Sequence, residues 1–177
     1  MGVRRLLTSF ALALIAAVVL IGSSAMAAPS APAFTLRLLA DARTFDSRAL
    51  IGKDVLVLRF QASWCRVCVE EAPGLQRIYL KYKPRGVEVV GIQVQDTAED
   101  ASRFLKAHGA TYPAGLDPYL RIANRFGVKG TPYIVVIDKR GEVAARIRGR
   151  ADEARLARVL DPLLKEPFQR KPPARLQ

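Results

Sequence analysis

From Asp54 to Phe60 the chain is almost continuously apolar (Val55, Leu56, Val57, Leu58, Phe60), which predicts a strand buried on both faces. The pattern then changes period. Leu75, Ile78, Tyr79 and Tyr82 recur at helical spacing and predict a helix over Glu70 to Tyr82. After the turn Lys83-Pro84-Arg85-Gly86, Val87 to Val94 predicts a second buried strand, parallel to the first in a right-handed βαβ unit. Thr97 to His108 carries acids in its first turn (Glu99, Asp100), apolar Ala101, Phe104 and Leu105, and a stop at Gly109, which marks another helix. A further helix is expected over Asp117 to Phe126. Tyr133 to Asp138 and Glu142 to Arg148 flank Lys139-Arg140-Gly141 as a hairpin. Ala151 to Lys165 closes the pattern as an amphipathic helix with Leu156, Val159, Leu160, Leu163 and Leu164 on one side. Phe34 to Leu39 is expected as a preliminary strand, and no internal repeat is visible.

The ends have a different character. Arg4 and Arg5 precede an uncharged apolar run from Leu6 to Ile21, and Ala25-Met26-Ala27 ends in a small-x-small pattern, so residues 1–27 read as a signal peptide cleaved after Ala27. Retained, the same run approaches the roughly 20 residues needed to anchor the protein in a bilayer. No cysteine follows it, which argues against a lipid-modified anchor, and the residues around the arginine pair fit twin-arginine export poorly. Residues 28–33 read as a short Pro/Ala linker and residues 166–177 as a basic, proline-rich tail with little to bury. Of the 177 residues this leaves 34–165, enough for one domain.

The formal charge of +12 becomes +10 once Arg4 and Arg5 are removed. Nucleic acid is excluded as a partner by the export signal and by the lack of any basic helix or aromatic-basic interleaving. A solvated basic face is the first reading of the charge. Peripheral contact with membrane phospholipid, or with an acidic partner protein, is the second.

The two cysteines fall at the predicted strand-to-helix junction, in Trp64-Cys65-Arg66-Val67-Cys68. Unsatisfied N–H groups and the positive dipole end at a helix start favour a thiolate, which makes Cys65 the candidate nucleophile. Cys68, one turn on, is placed to resolve a mixed disulfide. Arg66 between them adds a fixed positive charge that further favours the thiolate. A purely structural bridge is the weaker reading, because so short a loop gains little chain-entropy stabilisation. A zinc site needs about four ligands, and this chain offers two cysteines and one histidine, His108. No metal site is therefore expected. Gly130-Thr131-Pro132, directly before a predicted strand, is a candidate cis-proline turn.

Three stretches carry a family resemblance: Val55 through Cys68, then Glu71-Ala72-Pro73, then Gly127 through Asp138. In order and spacing they resemble the thioredoxin superfamily, within it the exported branch that includes the TlpA and ResA proteins and the cytochrome c maturation reductases. The resemblance implies an α/β thioredoxin fold in three layers, with a central mixed sheet of four or five strands and helices on both faces. Residues between Asp96 and Leu116 correspond to the extra strand and helix of that branch. It further implies thiol-disulfide exchange by Cys65 and Cys68 with no cofactor beyond their redox-active disulfide. Protein thiols and disulfides would be the substrates, an upstream membrane thiol donor the electron source, and the periplasm the compartment. Trp64, Thr131 and Pro132 would shape the substrate groove, and Glu71 would assist proton transfer near the disulfide. The same relatives suggest one non-enzymatic alternative, copper delivery through Cys65, Cys68 and His108. A peroxidase of this superfold is disfavoured because Ala62 replaces the threonine of its Thr-x-x-Cys. Two departures stand out. Arg59 occupies a strand position where relatives carry Asp or Asn, and must pair with Glu71 or reach solvent. Tyr133 follows the proline where maturation reductases carry an acid.

Overall fold

A computed structural model describes residues 29–165. The expected signal segment and basic tail lie outside them. The apolar run becomes β3 (Val55–Gln61), buried at every position, and it takes the centre of a five-stranded sheet ordered β5-β4-β3-β6-β7. Here β4 is Val87–Val94, β5 Ala114–Asp117, β6 Tyr133–Ile137 and β7 Val143–Arg148. β3, β4 and β5 run parallel, while β6 and β7 are antiparallel to their neighbours. The sheet is therefore mixed, and the fold is the thioredoxin fold.

Alternation along β3 sorts the core into two halves. Leu56, Leu58 and Phe60 face one side with Phe104, Ile122 and Phe126; Val55 and Val57 face the other with Leu75, Ile78, Tyr82, Leu156 and Leu160. The first side is covered by α2 (Ala98–Ala107) and α3 (Arg121–Arg125), and the second by α1 (Arg66–Tyr82) and α4 (Glu153–Lys165). Each fully buried aliphatic side chain contributes about 1.5–3 kcal/mol relative to exposure. A central strand buried at all seven positions is thus the main anchor of the fold.

The structure differs from the sequence pattern in three places. The preliminary strand is only β1 (Thr35–Arg37), and it pairs with an unforeseen β2 (Thr44–Asp46). Asp117 to Phe126 is not one helix. Asp117 ends β5, Leu120 takes a left-handed conformation (φ 57°), and only Arg121–Arg125 is helical, because the Asp117 carboxylate accepts the Ala123 N–H and Pro118 cannot continue a ladder. Helix α1 begins at Arg66, earlier than its apolar period indicates. In the segment expected as a linker, Ala31 donates to the Gly141 carbonyl and Pro29 accepts from Val143. Among the described residues no helix is long and apolar enough to cross a membrane.

The β1–β2 hairpin closes over the sheet edge where Leu38 bridges Gly115 and Leu39 N–H donates to the Ala114 carbonyl. A Cβ on Gly115 would lie 2.3 Å from the Arg37 carbonyl oxygen and 2.6 Å from Leu36 Cγ. Gly115→Ala is expected to cost about 1–3 kcal/mol through this overlap. A urea midpoint equal to that of the unaltered protein would show that the hairpin yields freely.

Candidate active site

The cysteine loop leaves β3 at Gln61 and is fastened before α1 begins. The buried carboxylate of Asp96, just past β4, accepts the Ser63 N–H (2.7 Å), the Ser63 hydroxyl (2.8 Å) and the Thr97 N–H (3.2 Å). Trp64, 60% exposed, is held at its edge by an indole N–H donating to the Gln95 carbonyl. Cys65 then takes an extended conformation and caps α1, its sulfur accepting the Cys68 N–H at 3.2 Å. The two cysteines are joined by a disulfide with Cα atoms 5.2 Å apart. Cys65 retains 7% exposure and Cys68 none, so of the two cysteines Cys65 alone reaches the surface.

The Thr131–Pro132 bond is cis, and the Pro132 carbonyl accepts from Gly149 N–H. Tyr133 pairs with Phe60, which brings this turn to the end of β3 from which the cysteine loop departs. Neither the N–H nor the carbonyl of Thr131 is taken up by another described residue.

Beneath the loop, Arg59 is 1% exposed and donates to Glu71 at 2.8 Å, one of the two arrangements its position required. The other Glu71 oxygen accepts the Ala151 N–H at 2.7 Å, so this carboxylate links β3, α1 and the approach to α4. Glu71 stands one turn after Cys68 on the same helix. Nearby, Gln61 and Tyr112 exchange a buried hydrogen bond, and burial pushes the Tyr112 phenol above its usual range. Arg59 Nε and both amide atoms of Gln93 are buried without a hydrogen-bond partner among the described residues.

Arg66 is exposed and pairs with Glu70, which also binds Arg150 across from the β7–α4 connection. The Arg150 hydrogen bond, with help from Arg66, holds the Glu70 carboxyl below the ordinary range. His108 caps α2, its ring edge-on to Phe104 with centroids 5.0 Å apart. Among the described residues no three His, Cys, Asp or Glu side chains gather as a metal-ligand group, so the structure does not bring His108 to the cysteines in that way. Sequence reasoning missed Asp96, Ser63, Gln95 and Arg150. Asp96 lies just before the predicted helix over Thr97 to His108, and its contact with Ser63 spans 33 positions.

This fold, with a Cys-x-x-Cys disulfide capping a helix beside a cis-proline turn, defines a thiol-disulfide oxidoreductase of the thioredoxin superfamily. Residues 28–146 match the AhpC/TSA family, and the chain belongs to that family. It is 33% identical over 142 residues to the thiol:disulfide interchange protein HelX of Rhodobacter capsulatus, covering 80% of this chain and 78% of that protein. It is 31% identical over 116 residues to the thiol-disulfide oxidoreductase ResA of Bacillus thuringiensis, covering 66% of each. A thiol:disulfide interchange protein of Chlorobium tepidum superposes with a TM-score of 0.72 at 26% identity, over 80% of this chain and 99% of that one.

The buried ion pair yields a stability test. Arg59→Met leaves a mostly buried carboxylate without its counter-ion and is expected to cost about 3 kcal/mol. Adding Glu71→Gln should recover part of that loss, with a coupling of about 1–3 kcal/mol in a denaturation cycle. Simple additivity of the two losses would show that the pair is not energetically linked.

Proposed function

We propose that this chain is an extracytoplasmic reductant of protein disulfides, serving clients that include those of cytochrome c maturation. The carrying observation is Cys65 at the N-terminus of α1, its sulfur already accepting a helix N–H while its partner is fully buried. A thiolate at Cys65 gains from that bond, from the helix dipole and from Arg66. It attacks one sulfur of a client disulfide, forming a Cys65–client bond as the client S–S bond breaks and one client thiolate leaves to take a proton. Cys68 then attacks the Cys65 sulfur, releasing the second client thiolate and forming the Cys65–Cys68 bond. The client gains two electrons and the protein loses two. A dithiol donor at the membrane restores the reduced pair, and no cofactor is needed beyond the disulfide.

Trp64, Thr131 and Pro132 form the groove for the client backbone, with the unpaired Thr131 peptide groups as its hydrogen-bonding edge. Glu71 serves proton movement at Cys68 through a carboxylate positioned by Arg59 and Ala151. Export rests on the pattern of residues 1–27, and a retained anchor or the basic face would hold the protein near the membrane.

Two measurements test this reading. Trp64 fluorescence in defined thiol-disulfide buffers should report a reversible two-electron transition near about −270 mV, whereas a value near about −120 mV would keep the chemistry and reverse its direction. Cys68→Ser should accumulate a mixed disulfide with client through Cys65, and Cys65→Ser should form none. Equal trapping by both variants would contradict the assigned roles.

A further inference from the structure

Of the carboxylates around the disulfide, Glu70, Glu71 and Glu153 are ion-paired, while Asp96 and Asp152 accept only neutral donors and keep their charge. Asp96 is spent on Ser63 and Thr97, and Glu71 on Arg59 and the Ala151 N–H. Along the approach to α4, Asp152 accepts the Arg155 N–H and Glu153 pairs with Arg77. Glu70, 39% exposed, is shared between Arg66 and Arg150, whose side chains are 88% and 59% exposed.

The cations are not matched in the same way. Lys129 lies on the turn leading to Thr131–Pro132 and is exposed. Arg148 is exposed opposite Tyr133, the residue after the proline, and shares a β7 face with Arg146, which donates to the Phe126 carbonyl at the start of that turn. Neither Lys129 nor Arg148 has an ion-pair partner among the described residues. Lys129 and Arg148 thus stand without an ion-pair partner beside the turn that carries the Thr131 peptide edge, whereas Arg150 and Arg66 share Glu70 and the exposed Asp152 follows Arg150 by two residues.

From this we infer that the client recognised is an extended polypeptide segment with acidic residues flanking its disulfide cysteine. The inference rests on the disulfide-reductase reading and adds the chemistry of the client. Backbone pairing at Thr131 is blind to sequence, since every residue offers the same N–H and C=O groups. Selection must come from side chains beside the strand, and besides the indole of Trp64 this chain supplies there the cations Lys129 and Arg148. Unpaired exposed cations act over a Debye length, so they raise the encounter rate of acidic segments and lower that of basic ones.

The test uses the reduced full chain and three extended peptides with the same internal disulfide, flanked by Asp and Glu, by Ser and Gln, or by Lys and Arg. Reduction is followed by Trp64 fluorescence at ionic strengths of about 0.01 M and about 1 M, where the Debye length falls from about 30 Å to about 3 Å. The acidic peptide should react about tenfold faster than the neutral one at low salt, and the basic peptide more slowly than either. The ordering should collapse at high salt. Lys129→Glu with Arg148→Glu should reduce or invert the acidic-to-basic ratio. Equal rates for the three peptides, or fastest reduction of the basic one, would overturn the inference while leaving the reductase reading intact. Reduction of none of them would remove the reductase reading, and this inference with it.

Discussion

The bond from the Cys68 N–H to the Cys65 sulfur fixes the centre of this protein, because it makes one atom both a helix cap and a reactive group. A helix start needs acceptors for its first N–H groups, and serine, threonine or aspartate usually supplies them. Here sulfur does so, and the helix cannot begin elsewhere without losing its nucleophile's position. The strand before it must therefore end at the right place, which β3 achieves through pairing along its whole length with β4. The loop between must not wander. Asp96 prevents that by gripping Ser63 from the end of β4, so the adjacent parallel strand sets the geometry of the cysteine turn.

A second constraint lies beneath. Burying a guanidinium costs several kcal/mol unless its charge and donors are answered, and Glu71 answers Arg59 only in part, since Nε stays unpaired among the described residues. Such a pair is weak evidence for stability. It is better evidence for register: Glu71 meets Arg59 and Ala151 together only when α1, β3 and the entry to α4 hold one relative placement. Gly91 belongs to the same design. It stands opposite Arg59, and a Cβ there would come within about 3.0 Å of Gln61 Nε2 and Tyr112 Cε2, so its absence makes room for their buried hydrogen bond.

How far this was legible in the sequence follows from the physics of each element. The runs at Val55–Phe60 and Val87–Val94 are apolar because they are buried on both faces, and that pattern is visible from composition alone. Cys65, Cys68 and Pro132 stood out through spacing and position. β2 did not, since its three residues are exposed or half-buried and carry no alternation long enough to read. β5, Ala-Gly-Leu-Asp, lacks the β-branched residues of a strand, so the apolar pattern does not mark it, and an extra strand between Asp96 and Leu116 was expected from the family resemblance alone. The start of α1 was placed late because Arg66, Val67 and Val69 give no helical apolar period, whereas the sulfur cap that sets it is a three-dimensional fact. Asp96 and Arg150 act across long sequence separations, which no local pattern records.

The net charge changes meaning once it is distributed over the fold. As a total it left a solvated basic face, membrane phospholipid and an acidic partner protein as readings, yet many of its arginines are consumed locally, as Arg77 is by Glu153, Arg85 by Asp161 and Arg103 by Glu99 and Asp100. What remains uncompensated around the cis-proline turn bears on two processes at once. A positive surrounding lowers the free energy of a thiolate at Cys65 and of the thiolate leaving the client, and it also attracts acidic chain before any bond is made. Chemistry and recognition therefore draw on one field. A substitution in that rim that changed only encounter would have to leave the attacking sulfur untouched, and Arg66, standing between the cysteines, is the cation least able to separate the two. Lys129 and Arg148, reached from the opposite strand and turn, are the positions where client preference can change with less effect on the sulfur itself.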